Sequence, residues 1–420
     1  MDHPSTGPDA PPANPAAEPA NSFQPVFDLE QRYLLQNYAR YPLVLARGKG
    51  CWVYDIDKRR YLDLITGIGV NALGHAHPRI VRVIREQAAR LIHCSNLYYH
   101  QYQGPLARIL CETSGLDRVF FCNSGTEAVE GAIKMARSHG RHIHPDNYEL
   151  VALDNSFHGR SMGALSITGQ PKYRADFEPL LPGVRFVPTG DGDALAAAVN
   201  ERTAGIFIET IQGEGGINLI PADHLRLARE LADRHNALLV FDEIQCGVGR
   251  SGRHYAYQLH EPAVLPDVMV LAKPIACGLP LGAIVSNEKA AAAIASGMHG
   301  TTFGGGPLAC RVAIEFFAIL EELLPQMRRV GEHFFDGLRR LQKRYGFIRD
   351  VRGAGLMIGI ELDFPCQHLV AAGMQEGLLF NVTHQKVVRL LPPFIITETE
   401  VDRALLGLNR VFRHARPPAA

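Results

Sequence analysis

Leu238-Leu-Val-Phe-Asp-Glu-Ile-Gln245 decides the fold. A short apolar run breaks abruptly into Asp242, Glu243 and Gln245, as expected of a strand buried on both faces of a parallel sheet. Downstream, Asp267-Val-Met-Val-Leu-Ala-Lys273 repeats the design and ends on one lysine. In open α/β sheets ligands bind beyond the carboxyl ends of the strands. If the two strands are neighbours, a carboxylate and an amine face one crevice. A cofactor with a protonated ring nitrogen and an aldehyde needs that pair, and pyridoxal 5'-phosphate has both groups. Either residue alone has a plainer explanation: Asp242 as a turn cap, Lys273 as a surface lysine.

Working outward, strands and helices alternate. Strands are expected at Asp117–Cys122, Glu149–Asp154, Ala204–Glu209 and Leu281–Ser286, and helices at Thr126–Arg137 and Ala222–His235. This is the pattern of an α/β fold, a mostly parallel sheet covered by helices. A helix is expected from Pro78 to Ile92, with Ile80, Val83, Ile84 and Ala88 along its buried face. Helical spacing also runs from Phe27 to Tyr41, and a hairpin turns at Asp57-Lys58. From Arg311 the pattern changes to long helical stretches reaching Arg344. Strands at Phe347–Val351, Leu356–Leu362 and Val387–Leu391 and a helix at Glu398–Phe412 follow, suggesting a smaller α+β domain. The domain reading is a Pro/Ala-rich tail over 1–24, a segment 25–77 joining the small domain, a large domain over 78–310 and the small domain over 311–420.

Composition narrows the function. Lys+Arg 43 balance Asp+Glu 43, unlike the basic balance of a nucleic-acid binder. No apolar run reaches the roughly 18–20 residues of a membrane span. Eight scattered cysteines form no CxxC pair, which argues against a zinc site or a secreted disulfide framework. The amino terminus lacks a signal-peptide plan, so the cytoplasm is the expected location.

Asn123-Ser-Gly-Thr126 joins a strand to a helix. Helix amides, Gly125 and the hydroxyls of Ser124 and Thr126 suit a phosphate, although an ordinary N-cap also favours Ser and Thr. In Phe157-His-Gly-Arg160, Phe157 could stack on a cofactor ring and Arg160 could fork onto a carboxylate; a packed loop with a solvated arginine is the plain alternative. Gly247-Val-Gly-Arg-Ser-Gly252 satisfies GxGxxG but lacks the strand–turn–helix context of a dinucleotide site, and is rejected as one. His75 and His77, and His142 and His144, have no obvious third ligand, so no metal is expected.

With these residues in view, the chain from about Gln36 to Arg413 resembles the class III aminotransferases of the acetylornithine/ornithine type. The likeness is carried by Asn71-Ala-Leu-Gly-His-Ala-His-Pro78, Asn123-Ser-Gly-Thr-Glu-Ala128, Phe157-His-Gly-Arg160, Gln212-Gly-Glu-Gly-Gly216, Asp242-Glu-Ile-Gln245, Leu271-Ala-Lys273 and Thr301-Thr-Phe-Gly-Gly305. The resemblance implies fold type I of the pyridoxal-phosphate enzymes, with a mostly parallel seven-stranded sheet, and a homodimer with shared sites. It implies that Lys273 holds the cofactor by a Schiff base and shuttles the proton, that Asp242 pairs with the pyridinium nitrogen, and that Gln245 bonds near the phenolic oxygen. Ser124, Gly125 and Thr126 would hold the phosphate, joined by Thr302 of the other subunit, and Phe157 would stack on the ring. Arg160, Thr301, Glu214 and Arg389 would contact substrate. Arg389 would take the α-carboxylate of glutamate, with Glu214 pairing it when the donor's side chain is bound.

The chain departs from the family pattern at Thr210, Cys246, Gly306 and Pro274; Pro274 is expected to bias Lys273 toward extended geometry. The activity expected is transfer of the terminal amino group of N2-acetylornithine to 2-oxoglutarate, because Gly67-Ile-Gly-Val70 has no tyrosine of the kind that ornithine aminotransferases tend to use there. Ornithine, succinylornithine, 4-aminobutyrate or a lysine derivative are the alternative donors, and a 2,1-aminomutase is the alternative reaction.

Overall fold

The computed structural model describes residues 23–415, so the tail expected over 1–24 lies outside them up to residue 22. The chain forms two compact units. One takes the described residues up to Arg47 together with Val53–Arg60; the other takes Gly48–Trp52 and everything from Tyr61 onward.

In the first unit the helix is Phe23–Tyr33, shorter at its end than the spacing to Tyr41 suggests. Gln36 explains the stop, since its side-chain amide donates to the carbonyls of Glu30 and Leu34. Such bonds satisfy carbonyls that a helix end leaves open. The Asp57-Lys58 turn is present: the Asp55 carboxylate accepts from Arg59 N–H, and Lys58 takes φ +65°.

The larger unit is built on a seven-stranded sheet. Its order is Arg118–Cys122, Gly282–Ser286, Val268–Leu271, Leu238–Asp242, Thr203–Glu209, Glu149–Leu153 and Val184–Val187. All neighbours are parallel except Gly282–Ser286, which runs antiparallel to both of its partners. The strands from Glu149, Thr203, Leu238, Val268 and Gly282 are buried along their whole length, which is why they read as unbroken apolar runs. Val184–Val187, at the sheet edge, is only partly buried and carries no such run.

The helix expected to end at Arg137 continues from Gly125 to Ile143. Tertiary contacts override the poor helix formers in its last turns: Ser138 donates to the Ala293 carbonyl and His139 bonds the Asn236 carbonyl. Pro78–Ala88 starts on its proline and buries Ile80 and Val83 as expected, but Gln87 rather than Ala88 completes the face. The Gln87 amide is held there by the Leu91 carbonyl. Pro307–Arg344 is a single 38-residue helix with Pro325 inside it.

Ile348–Ala354, Met357–Leu362, Val387–Leu390 and Asn381–Thr383 form, in that order, an antiparallel sheet. Glu398–Arg413 follows, opened by a Thr397/Glu400 capping box. Among the described residues no helix is long and apolar enough to cross a membrane.

Candidate active site

Parallel pairing sets Asp242 beside Val270 on one side and beside Glu209 on the other. Lys273 follows three residues beyond Val270, so carboxylates and amine leave the same end of the sheet. A cavity of about 550 Å³ opens there, within the size range of small-molecule sites. Asp242, Lys273, Gln245, Glu214, Glu209, Ser124, Gly125, Thr126, Phe157, His158 and Arg160 all line it.

Asp242 is almost fully buried. One carboxylate oxygen accepts from the Ile244 amide at 3.0 Å and the other from His158 Nδ1 at 2.7 Å. Burial alone would drive His158 toward its neutral form. The hydrogen bond to Asp242 and the charges of Asp242 and Glu209 outweigh that and raise its pKa. The result is a buried His158–Asp242 pair that fixes the orientation of the carboxylate. Glu209 is fixed by the amides of Phe157 at 2.8 Å and Gly213 at 3.1 Å. Burial, opposed by the charge of His158 and assisted by that of Asp242, pushes its carboxyl up to about 7.

Lys273 opens a short 3-10 turn, Lys273–Ala276, with φ +45°. The extended geometry expected before Pro274 is therefore not adopted. The chain leaves a buried strand and turns sharply at Lys273, and a left-handed lysine is the local cost, of the kind that collects at functional sites. Desolvation lowers the Lys273 pKa. Arg389 lowers it further, while Asp242, Glu214 and Glu209 act in the opposite direction. An amine with a lowered pKa is the more ready nucleophile.

Ser124 caps the 19-residue helix from Gly125, its hydroxyl accepting from Glu127 N–H at 3.3 Å. The Thr126 hydroxyl lies 2.6 Å from that of Ser161. Gly159, at φ +143°, approaches so closely that a Cβ there would lie 2.4 Å from Thr126 Oγ1. Phe157 meets Tyr173 edge-on at 5.9 Å. The exposed Arg160 stacks over Tyr173 at 3.9 Å, at the rim of the cavity.

Arg389 lies behind the lining residues Glu214 and Gln245 and is 1% exposed. It donates to Glu214 Oε1 at 2.6 Å, Gln245 Oε1 at 3.0 Å and Asn381 Oδ1 at 3.1 Å. Burial would raise the Glu214 pKa, but Arg389, with Lys273 and Lys172, keeps it lowered. Thr301 and Thr302 do not line this cavity. Thr301 Oγ1 accepts from Asn123 Nδ2 at 2.9 Å, and Thr302 is exposed.

His158 and Glu209 are the site residues that motif reading passed over. His158 sat inside a quoted tetrapeptide, and Glu209 ends a buried strand just as Asp242 does. Two departures from the family pattern also prove to be neighbours. The Thr210 hydroxyl lies 3.3 Å from Cys246 Sγ and donates at 2.8 Å to the buried Glu243, which also takes the amides of Ala256 and Tyr257. Glu243 thus ties loops together rather than facing the cavity. Gly247–Gly252 is a buried turn that opens no helix; its Arg250 donates to the carbonyls of Leu356 and Pro392.

The cavity suits pyridoxal phosphate on its own terms. A helix N-terminus beside a glycine-lined cradle fits the phosphate, a buried carboxylate fits the ring nitrogen, and an amine with a lowered pKa fits the aldehyde. Residues 33–412 match the family model for Aminotransferase class-III, and the chain belongs to that family. It is a pyridoxal-phosphate-dependent transaminase of fold type I. Among curated relatives, the acetylornithine aminotransferase of Methanocaldococcus jannaschii is 47% identical over 388 residues, 92% of this chain and 97% of that protein. That of Aquifex aeolicus is 45% identical over 90% and 99%. Among solved structures, the ornithine aminotransferase of Toxoplasma gondii superposes with a TM-score of 0.89 at 34% identity, covering 93% of this chain and 95% of that one. The acetylornithine aminotransferase of Elizabethkingia anophelis gives 0.82 at 30%, covering 93% and 99%.

Proposed function

We propose that this enzyme transfers the terminal amino group of N2-acetylornithine to 2-oxoglutarate, yielding an aldehyde and glutamate. The observation that carries the reading is the ion pair that the buried Arg389 makes with Glu214, a residue lining the same cavity as Lys273. Such a pair serves a site that must accept two unlike substrates in turn. With the amine donor bound, Glu214 stays on Arg389 and no unpaired cation faces the donor's side chain; an uncompensated buried charge would be costly. With glutamate or 2-oxoglutarate, Glu214 turns away and Arg389 takes the α-carboxylate in bidentate fashion. Arg160, at the rim, holds the other carboxylate. The curated relatives named above bear the name of the acetylornithine enzyme, which supports this donor. Val70 lines the cavity and offers no hydroxyl to a free α-amino acid end.

Pyridoxal phosphate, when bound, supplies a carbonyl carbon for the amine and a ring that takes up electrons. Ser124, Gly125 and Thr126 would hold its phosphate, Phe157 would cover one ring face, and Gln245 would stand near its phenolic oxygen. Asp242, oriented by His158, would pair with the ring nitrogen and favour its protonated form. Lys273 Nζ takes the proton from the substrate carbon that bears nitrogen and returns it one position along, as a general base and then a general acid. We place the reaction in a cytoplasmic homodimer, with Thr302 reaching the partner's phosphate. Leu97, Tyr98, Tyr99 and Phe303, at 84%, 71%, 106% and 68% exposure, support an apolar partner face close to Thr302. The division into a large domain over 78–310 and a small one over 311–420, joined by 25–77, belongs to the same proposal.

A donor panel with 2-oxoglutarate tests the reading. Acetylornithine should give the highest kcat/KM, above ornithine, succinylornithine and 4-aminobutyrate; preference for another donor overturns the substrate. Glutamate must bleach the absorbance of the lysine-bound cofactor, and failure to do so overturns the glutamate-linked exchange.

A further inference from the structure

The gate formed by Glu214 and Arg389 hangs on a strand of three residues. Asn381 and Thr383 are two apart on Asn381–Thr383, so their side chains leave the same face. Asn381 pairs in register with Arg389, and its Oδ1 accepts from Arg389 Nε at 3.1 Å. The buried Thr383 donates its hydroxyl to the Glu214 carbonyl at 2.6 Å. One strand thus touches both members of the ion pair, one through its side chain and the other through its backbone.

The rest of the Glu214 loop is fixed as well. Gly213 N–H donates to Glu209, the Gly215 carbonyl accepts from Asn218 at 2.9 Å, and the Gly216 carbonyl accepts from Arg352 at 2.7 and 3.0 Å. Arg352 stands on Ile348–Ala354, in the same sheet as Arg389. Each residue from Gly213 to Gly216 therefore has one backbone N–H or carbonyl held by a side chain.

We infer that Thr383 is a specificity-determining positioning residue: by fixing the Glu214 backbone in register with Arg389, it makes the gate a side-chain rotation and favours its closed, donor-accepting state. This rests on the reading of Glu214 and Arg389 given above. Without the Thr383 hydroxyl the loop gains freedom, the closed pair loses its preorganisation, and the balance moves toward an Arg389 open to dicarboxylates. Removal of one hydrogen bond changes an equilibrium by about three- to tenfold.

The test compares T383V, T383S, E214A and T383V/E214A as holoenzymes. Single-turnover half-reactions are measured with acetylornithine and with glutamate, and glutarate, a dicarboxylate with no amine to transfer, is titrated calorimetrically. T383V should lower acetylornithine kcat/KM about three- to tenfold, mainly through KM, leave the glutamate half-reaction at or above wild type, and bind glutarate no more weakly. T383S keeps the hydroxyl and should restore the wild-type ratio of the two half-reactions. In the E214A background the T383V effect should vanish, because it acts through Glu214. If T383V does not fold, T383A is read in its place. Equal loss with both substrates and with glutarate, or a T383V effect that persists without Glu214, overturns the proposal and leaves the gate standing. If E214A changes neither half-reaction, the gate itself fails, and this inference with it.

Discussion

Replacing His158 with leucine removes one of the two hydrogen bonds on the Asp242 carboxylate and leaves that of the Ile244 amide. The lost bond is 2.7 Å long, buried and made to a carboxylate oxygen. A hydrogen bond to a charged group contributes about 1.5–3 kcal/mol, and about 1.4 kcal/mol is tenfold in rate. On the proposed role of Asp242, at the cofactor ring and not at either substrate, H158L should slow both half-reactions alike, by roughly ten- to one-hundredfold. H158N is the control, since its Nδ2–H can stand close to the imidazole Nδ1–H and should recover much of the loss. The assay is single-turnover absorbance with each substrate at fixed pH, repeated in a D242N background where the His158 effect should disappear. H158L within twofold of wild type, or a loss that persists undiminished in D242N, would refute the argument.

The left-handed Gly159 leaves no room for a side chain beside Thr126. With strain of about 1–3 kcal/mol, G159A should weaken cofactor retention by on the order of tenfold with the fold intact; dialysis with cofactor fluorescence reads it, and unchanged retention removes Gly159 from the phosphate cradle. Because the Lys273 pKa is lowered from its ordinary 10.5, the neutral amine appears at lower pH than in a free lysine. The rate of cofactor attachment to apoprotein should rise with pH and level off below 10.5, and D242N, which removes a charge that raises this pKa, should move the plateau further down. A profile centred on the ordinary lysine value refutes that. Pro325 is exposed within a long helix, where proline costs about 3 kcal/mol. P325A should raise the Tm measured by calorimetry, and an unchanged or lower value refutes the assigned cost.

The readable parts of this fold were those where burial leaves a one-dimensional imprint. The Leu238 and Val268 strands are enclosed on both faces, so their composition and the polar residue closing each run announced both the sheet and the two poles of the site. Periodicity, however, does not record direction: nothing in Gly282–Ser286 says that it runs against its neighbours. Val184–Val187 escaped because an edge strand need not be apolar throughout. The last turns of the Gly125–Ile143 helix rest on partners far along the chain, beyond the reach of local propensity. His158 and Glu209 acquire their roles only when strand register sets them beside Asp242. Lys273 showed a different limit. The rule for residues before proline described a general preference, and a reversal forced between two buried strands overrode it.

That reversal has a consequence for timescale. Leu271 and Ala283 lie opposite one another in adjacent antiparallel strands, so residues 272–281 form a span anchored to the sheet at both ends, and Lys273 sits two residues beyond its first anchor. So close to a strand end, the amine is repositioned by its own torsions more readily than by a swing of the whole span. Such torsions turn in picoseconds to nanoseconds, whereas loops move in nanoseconds to microseconds and lids more slowly still. If Lys273 carries the proton as proposed, its delivery needs only a side-chain rotation on the faster of these timescales.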